Sequence, residues 1–167
     1  DNSFDAISCR FGYMFFPDLL LATQEMARVL KPGGRIAVSV WGPPEKNFWV
    51  TAVGGTINQN MQLDPPPPGA PGMFRCAEPE MIQGLFKAAG LKQTGEKEVN
   101  SSLNLESTEV YWNMMTEVAA PFVAARRKAD AEMKTKIKGE VFQKIEGKMG
   151  IDTVSLNGNA RVIYGVK

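Results

Sequence analysis

Histidine does not occur among the 167 residues of this chain. Its absence removes the commonest general base near neutral pH and the commonest transition-metal ligand, so any chemistry here runs without imidazole and no metal site is expected. Cysteine is scarce. Cys9 and Cys76 are the only two, too few for a disulfide framework, and they read as buried thiols in a reducing cytoplasm. No apolar run approaches the roughly 20 residues needed to cross a bilayer, and no basic start followed by an apolar stretch marks a targeting segment. An excess of one charge is missing too, with 19 Lys and Arg against 18 Asp and Glu. That balance argues against nucleic acid or an acidic membrane as the partner.

What the chain does have is 44% hydrophobic residues, enough for a single globular domain with a real core. Asp1 to Asp5 run at once, without an initiator Met, into Phe4-Asp5-Ala6-Ile7-Ser8-Cys9, and the expectation is a chain that begins in mid-domain. That apolar run fits a strand, although periodicity alone does not separate it from a helix at this length. Asp18 is placed to cap a helix carrying Leu19, Ala22, Met26 and Val29, with Pro32-Gly33-Gly34 as its stop. Arg35 to Trp41 then reads as a central parallel strand, ended by Gly42-Pro43-Pro44. Strand, helix and strand make a right-handed βαβ unit, whose ligand-binding loops, 10–17 and 42–47, lie beyond the C-terminal ends of the strands.

Further on, the pattern predicts a helix over Phe48 to Met61 and a stiff extended loop at Asp64 to Gly72. A second punctuated helix starts with Pro79 at its first position, carries Ile82, Leu85, Phe86 and Ala89, and stops at Gly90. Leu91 to Leu105 reads as a partly exposed strand. Thr108 to Gly150 is helical, with Met133, Ile137, Val141, Ile145 and Met149 recurring among charges on a surface helix. The chain closes with Val154 to Leu156, a turn at Asn157-Gly158 and a strand from Ala160 to Val166.

The run Phe4-Asp5-Ala6-Ile7, Arg10-Phe11-Gly12, Pro17-Asp18 and Glu25-Met26-Ala27-Arg28-Val29-Leu30-Lys31-Pro32-Gly33-Gly34-Arg35 resembles the second half of class I S-adenosylmethionine-dependent methyltransferases. It is most similar to the small-molecule branch that includes ubiquinone and menaquinone C-methyltransferases, and the likeness extends through Glu78-Pro79 and Ala88-Ala89-Gly90-Leu91 to about Val99. The resemblance implies an α/β fold, the C-terminal half of a doubly wound Rossmann-like sheet. Strands four to seven would be present, the last antiparallel between the fifth and sixth, and 108–150 would be a substrate-covering helical insertion in a single partial domain, 1–167. It implies S-adenosylmethionine as cofactor and a small-molecule methyl acceptor. It also implies that the Gly-rich cofactor loop and the acidic ribose-holding residue belong to a preceding half. Gly33-Gly34 is no substitute for that loop, because these glycines close a helix and open a strand.

By the same resemblance Cys9, Arg10 and Phe11 flank the cofactor's methionine portion, Arg10 being the direct contact. Phe11, Phe15 and Phe16 are equally readable as core aromatics. Trp41, ending its strand at the crevice, either faces the acceptor or closes the core. Tyr111 and Trp112, with Met114 and Met115, either line an acceptor pocket or pack the core. No residue is assigned a catalytic role: in-line displacement at a sulfonium rests on alignment and exclusion of water. Asp18 and Glu25 are explained by a cap and a solvated face. The lysines from Lys134 to Lys148, interleaved with Glu140 and Glu146, form a solvated face rather than a nucleic-acid or membrane patch. The alternative to an enzyme is a non-catalytic association module, a half-sheet whose exposed fourth strand pairs with another chain, including a second copy of itself. Nicotinamide-dependent oxidoreduction suits the architecture but not the Leu-Lys-Pro-Gly-Gly-Arg segment.

Overall fold

The computed structural model describes residues 1–118, 120–150 and 153–167, with the side chains of all of these except 118, 120, 121, 125 and 126. In chain order the elements are β1 (Phe4–Arg10), α1 (Leu19–Val29), β2 (Leu30–Trp41), α2 (Phe48–Met61), α3 (Met81–Ala88) and β3 (Lys92–Leu105). They are followed by α4 (Thr108–Val118), α5 (Ala120–Lys128), α6 (Ala131–Met149) and β4 (Val154–Val166). Two compact units form, one from Asp1–Pro44, Pro67–Asn100 and Asn159–Lys167, the other from Glu45–Pro66 and Ser101–Gly158.

The first unit is built on a four-stranded sheet of order β1-β2-β4-β3. β1 and β2 are parallel, with Ile7 opposite Ile36 and Cys9 opposite Val38. β4 returns antiparallel to β2, from Arg35 opposite Val166 to Trp41 opposite Ala160. The last strand of the chain therefore lies between β2 and β3, as the resemblance implied. Side chains alternate across the sheet. Ile36, Val38, Val40 and Ile163 enter one core with Leu19, Ala27, Ile82 and Phe86 of the two helices. Phe86 is completely buried, which is worth about 2–3 kcal/mol of apolar transfer. The other parity carries Ala6, Ser8, Arg35, Ala37 and Tyr164 and bounds an open groove of about 580 Å³. β1 is an edge strand in this sheet and is mostly exposed.

Several expected boundaries shift, each for a visible reason. α1 is capped as foreseen, Asp18 accepting from the Leu21 N–H at 2.9 Å. Its buried stripe, however, is Leu19, Thr23 and Ala27 rather than Ala22, Met26 and Val29. The glycines do not stop it. Val29 is the last helical residue, and β2 starts at Leu30, already paired with Phe4. Pro32-Gly33-Gly34 instead form an irregularity within β2, since the partner of Phe4 is Leu30 and that of Ala6 is Arg35. Gly33 takes φ +76° there, a left-handed conformation natural to glycine. Backbone bonds from Gly33 N–H to Lys167 O, 2.9 Å, and from Lys167 N–H to Gly34 O, 3.0 Å, tie the bulged segment to the end of β4.

α3 begins at Met81 with Glu80, at φ 61°, as its N-cap, so Pro79 precedes the helix instead of opening it. Gly90, at φ +82°, does follow the helix end, and Leu91 N–H folds back onto Phe86 O at 2.9 Å. Asn157-Gly158 makes no turn. β4 runs unbroken from Val154 to Val166, because Val154 and Leu156 are held by the apolar core of the second unit while the stretch from Ala160 on pairs with β2.

The second unit has its own core. α2 coincides with its predicted span. The segment 108–150 is helical as expected, carried among the described residues by α4, α5 and α6; position 119, inside it, lies outside them. Ile137, Val141 and Ile145 of α6 are buried against Ala52, Val53 and Ile57 of α2, with Tyr111, Trp112 and Met115 of α4. α6 therefore presents a core stripe as well as a solvated face.

Candidate functional site

Parallel pairing of β1 with β2 brings the C-terminal ends of both strands to one edge of the sheet, where open α/β sheets bind ligands. Phe11 leaves β1 with φ 51°, a left-handed conformation costing a non-glycine residue about 1 kcal/mol. Two bonds hold it there: its N–H donates to Ser39 O at 2.9 Å and to Ser39 Oγ at 3.3 Å. Turned this way, the Phe11 ring stacks on Trp41, with centroids 4.3 Å apart and planes 21° from parallel. The Arg10 guanidinium carbon lies 5.9 Å from the Phe11 ring centroid, and Arg10 itself is exposed, with its donor fork available to a carboxylate. Cys9 is half-buried below, and its Sγ lies 3.2 Å from where a Cβ on Gly12 would sit. Arg10, Phe11 and Trp41 together form a shelf of one cation and two stacked aromatics.

The loop that follows is anchored from beneath. Tyr13 is fully buried, and its hydroxyl hydrogen-bonds Thr23 Oγ1 and donates to Leu19 O at 3.4 Å. Thr23 Oγ1 also donates to Leu19 O, at 2.6 Å. Burial raises Tyr13 to about 12, opposed in part by the hydrogen bond to Thr23. Burial likewise raises Cys76 to about 11. Both stay protonated at neutral pH, so neither is a thiolate, a phenolate or a general base there. Arg75 donates to Phe16 O and, at 3.1 Å, to Pro17 O, closing the loop from the proline-rich connector side.

Gly42 follows directly after Trp41, the last residue of β2. Its N–H donates to Asn159 O at 2.9 Å, and a Cβ at this position would fall 1.8 Å from Asn159 Oδ1. No other residue type fits without displacing that side chain. Asn159 is 1% exposed, and its Nδ2 donates to Glu98 Oε1 at 2.7 Å and to Asn100 Oδ1 at 2.6 Å. Beside it Arg161 pairs with Glu96, both largely buried. Sequence reasoning missed Ser39, Gly42 and Asn159 as site-building residues. The Gly-Pro-Pro break at the end of β2 was a signal for Gly42, whereas Asn159 was obscured by the turn reading of the preceding Asn-Gly.

The other two residues expected to touch an acceptor, Tyr111 and Trp112, belong to the second unit. Tyr111 is fully buried, donates its hydroxyl to Trp49 O at 2.5 Å, and is raised well above the usual tyrosine value by burial. Trp112 is 5% exposed and meets Phe142 edge-on at 6.5 Å. Met115 is buried with them and Met114 is partly buried. No group of three or more His, Cys, Asp or Glu able to hold a metal occurs among the described residues. No helix among them is long and apolar enough to cross a membrane.

The mixed four-stranded sheet, with its last strand reversed, has a Rossmann-like α/β architecture. Residues 1–38 match the family described as Methyltransferase domain. The chain is 32% identical over 101 residues to the demethylmenaquinone methyltransferase of Thermus thermophilus, an alignment spanning 54% of this chain and 45% of that protein. It is 29% identical over 103 residues to the enzyme of the same name from Deinococcus radiodurans, covering 55% and 42% respectively. The chain thus spans less than half the length of these relatives. Among solved structures, the YcgJ protein of Bacillus subtilis superposes with a TM-score of 0.51 at 19% identity over 100% of this chain and 65% of that one. A protein from Bacillus halodurans described as a methyltransferase gives 0.54 at 15% identity, with the same coverage. The chain resembles class I S-adenosylmethionine-dependent methyltransferases, and among them the quinone methyltransferases.

Proposed function

We propose that this chain forms the acceptor-side half of a class I methyltransferase that transfers a methyl group from S-adenosylmethionine to a small-molecule acceptor. The observation that carries the reading is the Arg10–Phe11–Trp41 shelf at the C-terminal edge of β1 and β2, of which Arg10 and Phe11 lie within the segment 1–38 that matches the methyltransferase family. In this reading Arg10 takes the carboxylate of the cofactor's methionine portion, Cys9 and Phe11 flank it, and Trp41 covers the acceptor side. The fit is chemical: an exposed guanidinium fork suits the carboxylate of an amino-acid tail, and a stacked aromatic floor suits the sulfonium cation joined to it. The cofactor supplies an activated methyl group. This chain's residues orient the partners and keep water out.

Within the chain, Tyr13 and Cys76 are held protonated by burial, and histidine is absent. Neither buried group serves as a base at neutral pH, and the proposed chemistry rests on aligning donor and acceptor. The remaining cofactor contacts, to ribose and adenine, are assigned to the part of the longer relatives that this chain does not span. Segment 108–150 is proposed as the substrate-covering portion of a single partial domain. The likeness to quinone methyltransferases favours an apolar cyclic acceptor.

The test is calorimetric titration of S-adenosylhomocysteine into this chain and into the same chain joined to the preceding half typical of its relatives. Binding only to the longer protein is the expected result. Binding to neither refutes the enzyme reading and favours the association module, for which the exposed edge of β1 is the supporting feature.

A further inference from the structure

Asn159 has properties that a strand residue does not need for packing alone. It is almost completely buried, yet it is polar and lies in the antiparallel pair beside the register position where Ala160 faces Trp41. Its backbone carbonyl accepts from Gly42, and its Oδ1 occupies the space that a Cβ on Gly42 would fill. Its amide is turned by two acceptors on β3, Glu98 and Asn100, at 2.7 and 2.6 Å. Burying an amide is unfavourable unless its hydrogen bonds are met, and here both Nδ2 hydrogens find acceptors in one orientation only. Reversing the amide would put Oδ1 against two acceptors. The orientation of Asn159 is thus specified by β3 and transmitted to Gly42, the residue directly after Trp41.

We propose that Asn159 is a positioning residue for the shelf: it clamps Gly42 and so holds Trp41 against Phe11. Phe11 is committed to this geometry from its own side, by a left-handed backbone and two bonds to Ser39. Trp41 ends β2 and takes its place from the residue behind it. The clamp joins three strands, β2, β3 and β4, to one aromatic pair. Its relevance to methyl transfer rests on the function proposed above; the geometric claim does not.

The full chain is labelled with fluorotryptophan and its three tryptophans are resolved by fluorine NMR, with Trp41→Phe identifying the Trp41 signal. Phe11→Leu defines the position of that signal when the stack is broken. Asn159→Ala should move it in the same direction as Phe11→Leu while leaving the Trp49 and Trp112 signals in place. Gly42→Ala, which pushes on Asn159 from the other side, should do the same, and the double variant should return part of the way as the new methyl fills the vacated space. Should Asn159→Ala fail to fold, Glu98→Ala with Asn100→Ala releases the amide from the exposed strand and should give a smaller shift of the same sign. A Trp41 signal unmoved in these variants overturns the proposal. S-adenosylhomocysteine titration into the longer protein is run alongside. Absent binding with a displaced Trp41 signal removes the methyltransferase reading and leaves the clamp standing. Binding with an unmoved signal does the opposite.

Discussion

Replacing Tyr13 by Phe deletes one buried hydroxyl and should act in opposite senses at neutral and alkaline pH. The hydroxyl bonds Thr23 Oγ1 and Leu19 O from a fully buried ring. Thr23 keeps its own bond to Leu19 O at 2.6 Å when Tyr13 loses its oxygen, so no donor is stranded. The cost near pH 7 to 8 should then be that of one net hydrogen bond, about 1 kcal/mol. At high pH the linkage reverses the comparison. Burial raises Tyr13 from 10.0 to about 12, so between these values the unfolded chain has lost a proton that the folded chain retains. The unfolded state binds fewer protons, and stability falls as pH rises, by about 1.4 kcal/mol per unit and about 3 kcal/mol in all. The Phe variant lacks this loss. Cys76 and Tyr111, also raised by burial, titrate in both proteins and cancel in the difference. Urea unfolding of wild type and Tyr13→Phe at intervals from pH 7.5 to pH 11.5 should give curves that cross near pH ~11. A stability difference that stays constant across that range refutes the account of Tyr13 as a buried, neutral anchor.

Phe86→Ala, which empties the centre of the first core against Gly165 and Ile163, should cost about 3–5 kcal/mol in urea unfolding. Asp18→Ala removes the side-chain cap of α1 and should cost about 1 kcal/mol, with Asn at the same position restoring it. Arg161→Met leaves Glu96 without its cation in a largely buried setting and should cost about 2 kcal/mol in urea unfolding. The exposed pairs behave differently. Lys31 holds Asp5 below the usual carboxylate range by a hydrogen bond and its charge. Whatever that pair contributes is present above the unfolded carboxylate's pKa and is lost as pH falls through the lowered one. Because both partners are solvated, Lys31→Met should leave the melting temperature at pH 7 unchanged within error, a result that a thermal scan checks.

Local periodicity and punctuation were enough to locate α1, α2 and α3, because each combines an apolar stripe with a cap, a proline or a glycine nearby. They were enough as well to pair β1 and β2 in parallel, with the loops after both strands at one edge of the sheet. The errors share a cause. Pro32-Gly33-Gly34 looked like a helix stop and Asn157-Gly158 like a turn, and both are residue types that break structure when nothing else intervenes. In the fold both lie within strands, held by pairing to β1 and β4 in one case and by burial of Val154 and Leu156 in the other. Ala22 and Met26 fitted the helical period of α1, but Thr23 was taken into the core through its bond to Leu19 O and the Tyr13 hydroxyl.

The sequence by itself determined the class of the fold and the strand–helix–strand unit whose strand ends carry Arg10, Phe11 and Trp41, because short-range patterns and a specific motif encode them. Only the tertiary structure decided that Phe11 takes a left-handed backbone and stacks on Trp41. It also decided that Asn159, 117 positions beyond Gly42 in number, occupies the space a side chain at Gly42 would need. That a buried polar residue is a clamp rather than a turn depends on which strands meet, and strand pairing over such separations leaves no periodic trace along the chain.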